Sequence, residues 1–244
     1  MTGTDTNGQV PTGGARTVVE LGEVMGEVAR TLRTEHGDVE RTLTAITAAA
    51  VRTMPDAVAC GISYVVGRSS IKPRAATGDL PRRVDALQEQ LGEGPCLSAI
   101  WDQRTVRVDD VAADRRWPRF AAEVASIGVG SMVCFRLFVE GDTLGALNVY
   151  GSTPHAFDAD AEGIGQVFAS HASIALAGAQ QEQHLRSAMD SRDLIGQAKG
   201  ILMERYKITG SEAFTMLVHA SNRTNRKMAD IADELSTTGV IAHP

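Results

Sequence analysis

Three cysteines are the first residues whose chemistry needs an explanation. Cys60, Cys96 and Cys134 are odd in number and far apart in the 244-residue chain, and no C-x-x-C motif or His/Cys cluster has the spacing of zinc ligands. The sequence therefore predicts neither a disulfide framework nor a metal site, and it identifies no cofactor. Cys60 and Cys134 lie in apolar strand patterns, where a buried and inert thiol is the commoner case.

The segment RDLIGQAKGILMERY, residues 192–206, is the second feature with chemistry to explain. Its apolar residues have helical spacing, yet it contains Gly196 and Gly200, and each interior glycine costs about 1 kcal/mol relative to alanine. On a helical wheel the glycines share one sector with three basic residues and a methionine, namely Arg192, Lys199, Lys207 and Met203. Backbone that no side chain covers, next to positive charge, is a surface to which a nucleic acid can bind closely through its phosphates. Close packing of two helices, or basic residues that serve only solubility, are the alternatives.

Charge and composition limit the class of protein. The net charge is −6, and from residue 190 onward seven basic residues balance seven acidic ones, so any nucleic-acid binding depends on a local patch. No apolar run approaches the roughly 18 residues that a membrane span needs. The opening MTGTDTNGQVPTGGART lacks the basic start and apolar centre of a secretory signal and is predicted to be a disordered tail. A cytoplasmic protein is expected.

The middle of the chain alternates between strand and helix patterns. The strand-like segments, bounded by glycine, proline or acidic turns, are AVACGISYVVG, IKPRAATG, RTVRVDDV, SMVCFRLFV and TLGALNVYG. Between them PRRVDALQEQLG and RRWPRFAAEVASIG have helical patterns, while GEGP at residues 92–95 is expected to form a turn. One long helix, or a helix broken at Gly37, is predicted over residues 18–53. Interleaved strands and helices predict an α/β domain with a mixed sheet.

The last third of the chain is predicted to be helical. After PHAFDADA, apolar steps of three and four run for about 45 residues through the two-glycine segment, which predicts a coiled coil or an interdomain connector. TGSE, residues 209–212, has capping-box spacing and opens a helix with one apolar side, formed by Ala213, Phe214, Leu217, Val218 and Ser221. Thr224 or Asn225 is expected to cap a third helix that ends at Gly239.

This tail resembles the ANTAR domain of bacterial antitermination regulators. The resemblance covers about 50 residues and rests on the helix IGQAKGILMER, the EAF of the second helix and the S-x-x-x-N-x-K motif before the third. Residues 40–180 are more loosely similar to a GAF domain, of the kind that precedes ANTAR in actinobacterial regulators, through GEGPC, RWPRF and GALNVYG.

The resemblance implies a fold class and a domain order. The fold expected is a mixed α/β GAF-like sheet domain flanked by long helices, followed by a coiled-coil connector and an all-α three-helix ANTAR domain. The expected segments are a disordered tail at 1–16, a GAF-like sensor domain with flanking helices at 17–180, a coiled-coil connector helix at 160–190 and an ANTAR RNA-binding domain at 190–244.

The resemblance also implies a binding function without catalysis. ANTAR proteins bind leader RNA that carries two small hairpins, usually as homodimers, and so prevent a terminator hairpin from forming. Carried over by position, the expected RNA contacts are Gln197, Lys199, Gly200, Met203, Ser221, Arg223, Thr224, Asn225 and Lys227, together with Arg192. The expected partners are a leader RNA with tandem hairpins, a second copy of the chain, and a small-molecule or protein ligand of the GAF domain, with no membrane involved.

The GAF-like segment gives fewer indications of a site. It lacks the N-K-F-D-E pattern of cyclic-nucleotide members, and no cysteine stands in a bilin-attachment context. Trp101, Phe135, Asn148 and Tyr150, with Trp117, could line a ligand pocket, although large aromatic residues in a sheet domain usually form its core.

Three other functions stay open. Some GAF proteins use three cysteines to reduce free methionine sulfoxide, and this chain has the same number of cysteines. The short basic turn between the last two helices is similar to that of a DNA-binding helix-turn-helix regulator. The domain pair could also serve as a redox- or ligand-regulated module that binds a partner.

Overall fold

The computed structural model describes residues 39–66, 70–102, 104–139 and 142–240, together with the helical positions Gly22 and Gly26. The chain divides into two compact units, residues 1–179 and 180–244. The tail predicted at 1–16 and most of the helix predicted at 18–53 lie outside the described residues. No helix in the described part of the chain is both long and apolar enough to cross a membrane.

The first unit is built on a five-stranded sheet with the order β2-β1-β5-β4-β3. Its strands are β1 (Ala57–Val66), β2 (Ser70–Ala76), β3 (Thr105–Val108), β4 (Ser131–Val139) and β5 (Asp142–Gly151). All five coincide with predicted segments, because each has β-branched residues between turn residues. Every described pairing is antiparallel, so the mixed sheet expected from the interleaving of helices and strands is wrong in this respect.

Helices cover both faces of the sheet, and strand alternation divides the core between them. One face packs against α1 (Val39–Thr53) and the first part of a long helix, around Phe135 and Phe168. The other face packs against three short helices, around Phe120 and Tyr150. These helices are α2 (Asp79–Leu91), α3 (Pro95–Trp101) and α4 (Pro118–Val124), the last continuing as a 3₁₀ turn (Ala125–Ile127).

The long helix, α5 (Ala159–Tyr206), has 48 residues and confirms the predicted uninterrupted helical run. Up to Leu176 most of its apolar residues enter the core of the first unit, whereas Ile174 is exposed. Residues 183–190 are exposed, and they include Leu185 and Met189, which are 57% and 67% exposed. A coiled coil along this stretch stays a prediction.

The second unit consists of the end of α5, α6 (Gly210–Thr224) and α7 (Met228–Thr238). Its core contains Ala198, Leu202, Ala213, Leu217, Ala220, Ile231, Ala232 and Leu235. The predicted capping box is present, since the hydroxyl of Thr209 accepts from the amide of Glu212, whose carboxylate accepts from the Thr209 amide at 2.8 Å. Gly239 ends α7 in the left-handed conformation, as predicted. The predicted fold class is therefore confirmed, with an antiparallel sheet.

Candidate functional site

The two glycines of α5 leave an open strip of backbone on the second unit. Gly196 and Gly200 are exposed, and a Cβ atom added to either would meet no atom within 4 Å beyond its own stretch of helix. Neither glycine is therefore needed for close packing inside the described chain. The helix accepts two unfavourable residues at a surface that a partner can approach closely.

A groove lies on one side of this strip, between α5 and α6. Its walls are formed by Ala188, Ser191, Arg192, Ile195, Gly196, Lys199 and Phe214. The ammonium nitrogen of Lys199 lies 6.0 Å from the centre of the Phe214 ring, within the range of a cation–π contact. Of the described residues, two basic side chains and no acidic one line this groove, so it offers positive charge around an apolar floor.

A second groove lies on the other side of the strip, toward α7. Its walls are formed by Gln197, Gly200, Ile201, Glu204, Arg205 and Ser236. The charged residues of its lining are one acidic and one basic residue, Glu204 and Arg205, and Glu204 also forms an ion pair with Lys207. The charges of this groove therefore largely compensate one another.

Hydrogen bonds fix the turn between α6 and α7. The Ser221 hydroxyl donates to the carbonyl of Arg226 at 2.6 Å, and the Thr224 hydroxyl donates to the carbonyl of Ala220 at 2.7 Å. Asn225 adopts the left-handed conformation with φ of 51° and ends α6. The prediction that Thr224 or Asn225 caps the third helix is wrong, because both complete the preceding helix and the residue at the amino-terminal cap of α7 is Lys227.

The basic residues of this turn differ in availability. Arg226 forms an ion pair with Glu234 at 2.6 Å, which compensates its charge. Arg223 and Lys227 are exposed, and neither side chain forms a hydrogen bond or ion pair within the described residues. Arg192 on α5 is also exposed to solvent.

The expected RNA contacts thus fall in four places. Arg192 and Lys199 line the first groove, and Gln197 and Gly200 line the second. Met203 is 39% exposed. A Cβ atom added to Gly210 would lie 3.5 Å from the Met203 sulfur, so Met203 lies close to the start of α6. The others, Ser221, Arg223, Thr224, Asn225 and Lys227, form the turn between α6 and α7.

Phe214 is a residue of this surface whose position the sequence pattern mispredicts. It is expected on the buried side of α6, but it is 42% exposed and lines the first groove. Ala213, Leu217 and Ala220 supply the buried side instead. Since Phe214 follows Ala213 directly, a helical pattern places it only at the edge of the apolar stripe.

The first unit contains a buried polar cluster between the sheet and α2. Asp85 of α2 is 3% exposed, and its carboxylate accepts a hydrogen bond from the Ser63 hydroxyl at 2.6 Å and one from the Asn148 amide at 3.3 Å. The same amide nitrogen lies 3.0 Å from the Ser63 oxygen and 3.2 Å from the Cys96 sulfur. Burial raises the pKa of Asp85 to about 6, although both hydrogen bonds oppose the shift.

Polar atoms around this cluster lack partners among the described residues. They are the Asn148 Oδ1 atom, the Tyr150 hydroxyl and the Gln88 Nε2 atom, all fully buried. A buried polar atom without a partner is costly, and a bound water, ion or ligand is one of the ways in which it can be satisfied.

The four residues expected to line a ligand pocket do not lie together. Asn148 and Tyr150 belong to the face of the sheet that carries Asp85, whereas Phe135 is in the core on the opposite face. Trp101 lies at the end of α3 and is 45% exposed. Asn148 belongs to the polar cluster itself, and burial together with the nearby charge of Asp85 raises the pKa of Tyr150.

The three cysteines are fully buried free thiols. Cys60 packs on one face of the sheet, and Cys96 and Cys134 pack on the other. Burial raises the pKa of all three thiols, that of Cys96 to about 12. They are therefore protonated at neutral pH, and the described residues contain no group of side chains that could hold a metal ion.

Two family models match the chain. The model described as a GAF domain matches residues 36–177, more than half of the sequence, and the model described as an ANTAR domain matches residues 183–235. Both matches agree with the resemblance found in the motifs. A comparison with curated proteins finds no match.

Solved structures share the fold of the first unit. The GAF domain of a phosphoenolpyruvate-protein phosphotransferase from Coxiella burnetii is 15% identical with a TM-score of 0.53, and the match covers 68% of this chain and 98% of that one. A free methionine-R-sulfoxide reductase from Neisseria meningitidis, solved with its substrate, is 20% identical with a TM-score of 0.53, over 74% and 96% of the two chains. A phycoerythrobilin-bound GAF domain from a cyanobacterial phytochrome is 16% identical with a TM-score of 0.51, over 69% and 98%. At these identities the likeness concerns the fold alone.

Proposed function

The chain belongs to the GAF domain family and carries an ANTAR domain behind its GAF domain, and on this premise we propose that it is a transcription antiterminator that binds paired hairpins in leader RNA under the control of its GAF domain. Both are regulatory domains. The proposed activity is binding in the cytoplasm, and it requires no catalytic group.

The open glycine strip is the observation that carries this proposal. Two helix-interior glycines cost about 2 kcal/mol together, and no contact within the described chain explains them. The basic groove beside Gly196 supplies the charge that attracts phosphate, although the unit as a whole is neutral. Hairpin loops suit such a surface because they expose unstacked bases and a sharply bent backbone together.

The proposed contacts have different roles. Arg192, Lys199, Arg223 and Lys227 are assigned to phosphates, because they are basic and no acidic side chain pairs with them within the described residues. Gln197 and the Gly200 backbone of the second groove, together with the exposed Met203, are assigned to sugars and base edges. Ser221, Thr224 and Asn225 hold the turn that presents the basic residues.

A homodimer would bind two hairpins at once. The exposed side of α5 carries Ile174, Leu185 and Met189, which are 57% to 67% exposed and could form the seam of a coiled coil with a second copy. Two RNA-binding domains on one dimer raise the effective concentration of the second hairpin after the first has bound. Dimerisation is therefore proposed as part of the mechanism.

The GAF domain is proposed to be the sensor. Its buried polar cluster, centred on Asp85, is the proposed place for a small polar ligand, because unpartnered donors and acceptors surround it. A ligand that binds one conformation of the domain more tightly than another would shift the population that can bind RNA.

The rival functions have weaker support. Methionine sulfoxide reduction needs reactive thiols, whereas these three are buried and protonated, and Cys60 lies on the opposite face of the sheet from the other two. The helix-turn-helix alternative would use the α6–α7 turn on duplex DNA. A comparison of hairpin RNA with duplex DNA of equal charge separates it from the proposal.

Two single variants test the RNA surface. Lys199→Ala and Arg223→Ala should each weaken binding to a double-hairpin leader in a fluorescence titration and should reduce the salt dependence by about 0.7 to 1 in log–log slope, since each removes one phosphate contact. Arg186→Ala is the matched control, because Arg186 is an exposed α5 residue already paired with Glu182. Equal affinity of parent and both variants, at matched salt, would remove these residues from the site.

A further inference from the structure

The exposed ring of Phe214 has no role in the core of its own unit. The buried residues of α6 are Ala213, Leu217 and Ala220, whereas Phe214 is 42% exposed at the first groove. Large aromatic side chains are usually buried in a small helical domain, because they contribute much of its apolar contact area. Together with Ala188 and Ile195 the ring forms an apolar surface in the groove that an external partner can cover.

The surroundings of Phe214 indicate what kind of partner fits. The Gly196 backbone lines the same groove without a side chain to fill it, so a flat group has access to the ring. Lys199 lies over the ring, and Arg192 is also part of the lining. Charge complementarity therefore favours a flat group attached to an anion over an apolar segment of a protein, because the lining contains two cations and, among the residues described, no carboxylate.

We propose that the groove between α5 and α6 receives one unpaired base of the RNA, which stacks on Phe214 while Arg192 and Lys199 bind the adjoining phosphates. The inference rests on the proposed RNA-binding function and adds a stacking site that the sequence motifs do not assign. Stacking on a phenylalanine makes no hydrogen bond to the base, so this contact contributes affinity for a splayed-out base and little discrimination between base types.

The experiment uses the full chain and a labelled double-hairpin leader. Phe214→Leu retains apolar volume but removes the ring, whereas Phe214→Tyr retains the ring. Each loop nucleotide of the leader is replaced in turn by an abasic residue. We expect Phe214→Leu to weaken binding about 5- to 150-fold, the range for one base–aromatic stack, and Phe214→Tyr to bind within about threefold of the parent. An abasic residue at one loop position of the RNA should weaken binding of the parent protein by a similar factor. The same RNA should bind Phe214→Leu little more weakly than the intact RNA does.

The outcomes separate the stacking site from the wider proposal. If the parent does not bind the leader at all, the RNA-binding function fails and the stacking inference fails with it. If the parent binds and Phe214→Leu binds equally well, the stacking site is refuted while RNA binding stands. The stacking site is also refuted if Phe214→Tyr loses as much affinity as Phe214→Leu. It is refuted as well if, at every abasic position, the loss caused by the abasic residue and the loss caused by Phe214→Leu multiply independently. If Phe214→Leu leaves RNA affinity intact but dissociates a dimer in light scattering, the groove contacts a second protein copy instead. Matching thermal melting curves show that the variants remain folded.

Discussion

Replacing the buried carboxyl group of Asp85 by an amide should remove a pH dependence from the stability of the GAF domain. Burial raises the pKa of this group from 3.8 to about 6 in the folded protein. Because the folded state holds the proton more tightly than the unfolded state, Asp85 favours folding most at low pH. This contribution is lost as the pH rises through the folded-state pKa.

The size of the effect follows from the two pKa values. The full difference of about two pH units corresponds to about 3 kcal/mol of unfolding free energy. As the pH falls from about 8 to about 5, the group becomes largely protonated only in the folded state, so roughly half of that amount is gained. The amide introduced by Asp85→Asn preserves an acceptor for the Ser63 hydroxyl and cannot titrate, so this variant should lack the gain.

Urea unfolding followed by tryptophan fluorescence is the suitable assay. Both tryptophans, Trp101 and Trp117, lie in the first unit, so their signal reports on the GAF domain. Asp85→Asn is compared with the parent and with Asp102→Asn, which removes an exposed carboxyl group from the same unit. If Asp85→Asn gains as much stability as the parent over this pH range, the raised pKa of Asp85 is refuted.

Two further predictions concern the glycine strip and the long helix. Gly196→Ala and Gly200→Ala should each raise the free energy of unfolding of the second unit by up to about 1 kcal/mol, since a methyl group there meets no neighbour in the described chain. Both variants should also weaken RNA binding in the fluorescence titration. Unchanged RNA affinity would show that the RNA does not approach the bare backbone. The full chain should be a dimer by light scattering at micromolar concentration, and Leu185→Asp should shift it toward monomer, because Leu185 is proposed to lie in the α5 seam. A parent protein that is monomeric under these conditions would contradict the proposed dimer.

Local patterns are sufficient to predict most of the secondary structure. The capping box at Thr209 and the left-handed Gly239 depend on residues close together in the sequence, and both are present. The pattern mispredicts Phe214 because a residue at the edge of an apolar stripe can face either the core or the solvent, and only the packing of α5 against α6 decides between them. It misassigns Thr224 and Asn225 because either end of a short turn can use such residues.

The buried polar cluster cannot be predicted from local patterns. Ser63, Asp85, Cys96 and Asn148 belong to β1, α2, α3 and β5, and they meet only because β5 pairs with β1 in the centre of the sheet. Asp85 also resembles an ordinary polar residue of an amphipathic helix. The sequence also fails to show that Phe135 and Asn148 cannot line one pocket. Their side chains lie on opposite faces of the sheet, and this depends on the register between strands.

A titration of the full chain with two RNAs of equal length tests the central claim most directly. One is a leader with two intact hairpins, and the other has the same composition with both stems disrupted. The proposed function predicts at least roughly tenfold tighter binding to the paired hairpins at moderate ionic strength, where nonspecific phosphate contacts are weak. Equal binding to the two RNAs, or binding to neither, would contradict it.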